Sequence, residues 1–194
     1  MLTVRTLLLS TLLLVCVVSL SAQDDDVYGF TATQVNAVLT KNGLTSQRLH
    51  SLQTFGSDGP ANPAYLAVLS SSHSGWHISV FHRMKGGFKL EWASHNLPVE
   101  FSVSAPGNFS VSDIGDESTV IFSGCAPHRC GGDYHGFVLY SPVRKEAFFA
   151  LLSQEEDQPR KVTFSNNALE PRNSIYKEAL QKQVDEVIHR TDIK

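Results

Sequence analysis

Six consecutive residues, Cys125-Ala126-Pro127-His128-Arg129-Cys130, put two thiols, a proline and an imidazole within reach of one another. Thiols at this separation can close a small ring, bind a metal as thiolates, or act as a redox pair. Zinc would draw on Cys125, His128, Cys130 and His135, whose types suit it. The four-residue spacer and the export implied by the N-terminal leader favour oxidation instead. Redox pairs typically have two intervening residues and a helix N-terminus that lowers the thiol pKa. A fourth reading is a purely structural bridge on a solvent loop. Closing so small a ring adds little loop-entropy stabilisation, because that contribution grows with the length of chain enclosed. Its main effect would be to hold one loop shape. Pro127 fixes a backbone angle immediately before His128. The imidazole then has little freedom left to lose on binding, as an inhibitory or recognition loop requires.

The elements that must position this loop are legible on both sides of it. Thr119-Val120-Ile121-Phe122-Ser123-Gly124 precedes it and Gly136-Phe137-Val138-Leu139-Tyr140 follows it, so the cysteines fall on a connection between two strands. Similar runs predict strands at 64–70, 76–84, 88–92, 100–104, 108–113, 118–123, 136–141, 147–153 and 161–165, with Gly86-Gly87 turning a hairpin. Val35, Val38 and Leu39 recur at helical spacing between Thr31 and Asn42, and Gly43 is a stop signal. Near the C-terminus, Asn173 or Ser174 caps a helix whose apolar stripe is Ile175, Ala179, Leu180, Val184, Val187 and Ile188. The predicted fold class is α+β, an antiparallel β-sheet meander packed against an N-terminal and a C-terminal helix.

The first 22 residues read as a cleaved signal peptide, with Arg5, an apolar run from Leu7 to Leu20, and small residues up to Ala22. That run is shorter than the roughly 20 apolar residues of a spanning helix, and Asp24-Asp25-Asp26 follows it. Residues 23–194 are then one exported domain, periplasmic or secreted, with Cys16 lost along with the leader. Loss of Arg5 takes the formal charge from −3 to −4, which argues against a nucleic-acid partner. No nucleophile elbow, phosphate-binding glycine loop or metal motif marks an enzyme, and no cofactor is expected. His77 and His82, five residues apart on a strand, face opposite sides. Trp76, Trp92, Phe81, Phe88 and Tyr65 are assigned to the core. A homodimer is compatible with the sequence.

The stretch Val120 to Tyr140, with Cys-x-Pro-His-x-Cys-Gly between two apolar strands, resembles the signature of the Ivy family, inhibitors of vertebrate lysozyme that bacteria export to the periplasm. The resemblance implies a disulfide between Cys125 and Cys130, a rigid position at Pro127, and entry of His128 into the lysozyme cleft against the catalytic carboxylates. It departs from the family's usual loop at Ala126, where a lysine is common, and at Arg129, where an acid or amide is common. Residues 27–95 do not align with the family's pattern. The expected function is lysozyme inhibition by loop insertion, and the alternative is an extracytoplasmic binding module with a structural disulfide.

Overall fold

The computed structural model describes residues 32–44, 48–56, 63–72, 75–94, 108–125, 134–155 and 158–192. The described chain begins with helix α1 (Ala32–Lys41) and continues through strands β1 (Arg48–Phe55), β2 (Tyr65–Ser72), β3 (Gly75–Met84) and β4 (Gly87–Ala93). A second run of strands follows: β5 (Asn108–Ile114), β6 (Glu117–Cys125), β7 (Tyr134–Ser141), β8 (Glu146–Ser153) and β9 (Lys161–Phe164). Two 3-10 turns, Asn166–Leu169 and Pro171–Asn173, lead into helix α2 (Ser174–Asp192). Each run of strands is an antiparallel meander, in the orders β1-β2-β3-β4 and β5-β6-β7-β8-β9. The protein is thus α+β, but with two sheets where the sequence predicts one.

Side-chain alternation explains the layering. On β2, Leu66 and Val68 face α1, where they meet Val35, Leu39 and the β3 and β4 residues Phe81 and Phe88. Ala67 and Leu69 point the other way and pack, with Ile78 and Val80, against Val120, Phe122, Val138, Tyr140 and Ala147 of the second sheet. The second sheet repeats the pattern: Ile121, Phe137, Leu139 and Phe148 turn their side chains toward Tyr176, Leu180 and Val184 of α2. Successive strand residues alternate faces, so the order of layers is α1, first sheet, second sheet, α2. Central strands are apolar on both faces. That pattern fits one sheet between two helices as well as two sheets back to back, which is why periodicity does not separate the two arrangements.

Strand β1 has no counterpart among the predicted strands. Its register slips between Leu49 and Ser51, leaving His50 as an extra bulged residue, and the bulge breaks the period-2 pattern on which a strand prediction rests. A second bulge interrupts β4, where Val80 pairs with Trp92 and Phe81 with Leu90, leaving Glu91 unpaired between them. The expected strand at 100–104 lies outside the described residues. The hairpin at Gly86-Gly87 is present, joining β3 to β4. Helix α1 stops where Gly43 takes φ +77. Gly43 N–H then donates to Thr40 O at 3.0 Å and Leu44 N–H to Leu39 O at 2.9 Å, the paired bonds of a Schellman ending. Asn42, just past the helix, accepts from Leu90 N–H at 2.9 Å and donates to Phe88 O at 3.4 Å. It thereby occupies part of the open edge of β4 as a neighbouring strand would.

Candidate functional site

Strands β6 and β7 are the middle of the second sheet, and they carry the predicted loop at one end. Their last three pairs are Ser123 with Phe137, Gly124 with Gly136, and Cys125 with His135. Cys125 is 8% exposed. Alternation places Cys125 and His135 on the α2 side of the sheet with Ile121 and Phe137. The His135 ring stacks toward Phe137 at 6.4 Å. On the other face, the paired Gly124 and Gly136 continue the row of Phe122 and Val138 with no side chain. The rest of the predicted loop, Ala126, Pro127, His128, Arg129 and Cys130, lies outside the described residues. Among the described residues no group of three or more metal-binding side chains occurs.

The strand registers bring a further segment to the same end of the sheet. Tyr134 pairs with Ser153 on β8, and Ser153 pairs with Lys161 on β9. The β8–β9 connection therefore leaves the sheet at the same end as Cys125 and Tyr134. Helix α2 reaches the same end. Its first turn is held at the far end, where Tyr176 donates to Glu117, and its last residue, Asp192, accepts from Arg160 Nη1 at 2.6 Å in the β8–β9 connection.

Polar side chains also meet where no motif announced them. The β4 bulge aims Glu91 across the gap between sheets, so that Tyr140 Oη donates to its Oε1 at 2.7 Å. His82 Nδ1 lies 3.4 Å from the other carboxylate oxygen, and the His82 ring stacks on Tyr65 at 4.7 Å. Burial and then the Glu91 carboxylate push the Tyr140 phenol far above its ordinary value. At the opposite end of β6, Glu117 accepts from Ser141 Oγ at 2.8 and 3.0 Å, from Val143 N–H at 3.0 Å and from Tyr176. It locks the β7–β8 turn to α2. The β1 bulge puts His50 Nε2 2.7 Å from Ser71 Oγ and its ring 4.2 Å from Trp76. A serine and a histidine at this distance could begin nucleophilic chemistry, but among the described residues no carboxylate orients the other ring nitrogen as a triad needs. Sequence spacing had no way to find these three clusters, since the side-chain hydrogen bonds that tie them together join residues 21 to 59 positions apart.

His77 and His82 do fall on opposite faces, His82 with the inter-sheet residue Val80 and His77 with Phe81 on the α1 side. The five aromatic residues assigned to the core all pack there. Among the described residues no helix is long and apolar enough to cross a membrane, while residues 1–22, the expected leader, lie outside them. A family model described as Inhibitor of vertebrate lysozyme (Ivy) matches residues 103–184. The matched stretch spans the whole second sheet and α2 as far as Val184. No curated protein and no solved structure matches the chain.

Proposed function

Because residues 103–184 carry the Ivy family's pattern, we propose that this chain is an exported lysozyme inhibitor that acts by inserting the β6–β7 connection into the enzyme's cleft. The observation that carries the reading is the place of Cys125 at the last pair of a central hairpin, inside the matched segment. In this reading Cys130 is the partner of Cys125, Pro127 stiffens the loop, and His128 is its tip. Residues 23–194 form one domain freed of the leader, and the protein has no catalytic role of its own.

The chemistry follows from the target. A retaining glycosidase holds two carboxyl groups about 5 Å apart at the scissile bond. A protonated imidazole offers two ring N–H donors, and opposite charge at contact favours that protonated form. His128 would block the substrate and neutralise the acid and base together. Central strands anchored on both faces suit the task, because a tip pushed into a cleft transmits no motion to a sheet whose side chains are packed on both sides. Arg129 adds a second cation beside an acidic cleft, and Ala126 removes one at the loop's base.

The test is lysis of a bacterial cell-wall suspension by a chicken-type lysozyme with increasing amounts of the oxidised protein. Stoichiometric inhibition that weakens after reduction is expected, as is a loss of a few kcal/mol of binding for His128→Ala, in the range of buried polar hot spots, at unchanged melting temperature. Equal loss of inhibition and of melting temperature would make His128 a structural residue. No inhibition of any lysozyme class at micromolar concentration would leave the binding-module alternative.

A further inference from the structure

We infer that the tip of the β3–β4 hairpin docks on a membrane surface that carries anionic lipid headgroups, with the Cys125 end of the protein turned away from it. The inference is independent of the loop-insertion reading. It concerns the first sheet, which the family match leaves out.

Charge is unevenly spread over this chain. Among the described residues between 32 and 94, Lys41, Arg48, Arg83, Lys85 and Lys89 stand against one acid, Glu91, with Asp58 of that stretch outside the described residues. The whole chain, by contrast, is net −3. Four of these cations gather at one place. Arg83, Lys85 and Lys89 belong to the β3–β4 hairpin, and Lys41, at the end of α1, donates from Nζ to Gly86 O in its turn at 3.2 Å. All four are exposed. Glu91 is already occupied by Tyr140 and His82. Among the described residues no carboxylate pairs with Lys41, Lys85 or Lys89. Cations clustered without counter-charge raise the local potential and attract an anionic partner.

An apolar side chain at the same tip selects a lipid surface over a dissolved anion. Met84 pairs with Gly87 across the turn and is 52% exposed. A flexible thioether between cations can enter the boundary of headgroups and acyl chains while the ammonium groups stay among the phosphates. Near an anionic leaflet each cation strengthens binding about fivefold. The tip also has a set shape. The Lys41 hydrogen bond ties its turn to α1, and the Arg83 guanidinium lies over the Phe88 ring at 5.8 Å. A tip ordered before binding loses little entropy on docking.

The place of the hairpin in the fold gives docking a direction. Glu91 of the hairpin meets Tyr140 at the end of β7, so the β7–β8 turn stands at the same end and adds the exposed Arg144 and Lys145. The acids of that end, Asp113 and Asp116, belong to the β5–β6 hairpin. That hairpin lies under β1, across the sandwich from β4. Cys125 pairs with His135, five residues or roughly 17 Å along β7 from Tyr140. A protein resting on the β3–β4 tip therefore presents its Cys125 end to the aqueous side.

The experiment is cosedimentation of the exported form, residues 23–194, with vesicles of phosphatidylcholine alone or mixed with phosphatidylglycerol, at low and high salt. Binding to the mixed vesicles only is expected, weakening as salt rises. Lys85→Gln with Lys89→Gln should weaken it roughly 25-fold. Met84→Ser should weaken it about three- to tenfold, with the loss persisting at high salt. Lys177→Gln with Lys182→Gln, the same charge change on the exposed face of α2, should leave it unchanged. All variants should keep the native circular dichroism spectrum and whatever lysozyme inhibition the native protein shows. Equal binding to both vesicles, or equal loss from the hairpin and α2 pairs, would overturn the inference. So would a native protein that ignores vesicles and instead binds purified cell-wall sacculi or associates with itself at low salt. Vesicle binding by a protein that inhibits no lysozyme would count against the insertion reading alone.

Discussion

His50 shows how a single side chain reports its surroundings. It is the extra residue of the β1 bulge, held by Ser71 and by the face of Trp76. Burial first, and the neighbouring Arg48 second, lower its pKa from 6.5. The folded protein therefore holds this ring neutral at pH values where the unfolded chain would protonate it. Between the lowered folded value and 6.5 the unfolded state binds more protons, so stability rises with pH through that window. The contribution is complete above the unfolded value and is lost as pH falls through the folded one. His50→Gln keeps a hydrogen-bonding group for Ser71 and removes the titration. Its melting temperature should fall less than that of the native protein when pH is lowered from about 7.5 to about 5. Equal slopes for the two proteins would place the pH dependence elsewhere.

The two bulges matter as elements because each interrupts a strand at the point where a polar side chain is needed. The β4 bulge turns Glu91 toward the second sheet, where it is the acceptor for Tyr140 on β7. The Glu91 side chain is only 12% exposed, so its carboxylate depends on the partners the fold provides. Tyr140→Phe removes the phenolic donor and leaves the ring packing intact. It should cost about 1 to 3 kcal/mol, the penalty for a buried polar group that loses its partner, measured by urea unfolding. A cost near zero would show that water replaces the phenol and that packing alone joins the sheets here. The bulges also mark the limit of reading strands from sequence. Val80, Phe81 and their neighbours alternate cleanly and were found, whereas Leu49-His50-Ser51-Leu52 slips out of phase and was not. A pattern method reads a regular pleat, and a bulge is a local departure from it that only the pairing partner makes necessary.

For the whole molecule, the match to residues 103–184 takes in the second sheet but leaves out α1 and the first sheet. The inner face of the matched unit, with Val120, Phe122, Val138 and Tyr140, is covered by Ala67, Leu69, Ile78 and Val80 of the unmatched part. A fragment beginning at residue 103 would expose that apolar face to water, and faces of this kind drive association. Such a fragment should elute as aggregates in size-exclusion chromatography and bind a hydrophobic dye. A monomeric, dye-free fragment would mean that the first sheet is an addition with little part in stability.

The sequence by itself determined the local elements: helix α1 with its stop at Gly43, the start of helix α2, the hairpin at Gly86-Gly87, and the apolar strands that flank Cys125. These depend on periodicity, caps and turn residues within a few positions of one another. Only the tertiary structure decided that there are two sheets, that Glu91 meets Tyr140, and that the start of β9 lies at the same end of the sheet as Cys125. Those facts depend on which strand lies next to which and on what covers each face. A strand apolar on both sides does not encode whether a helix or a second sheet will cover it.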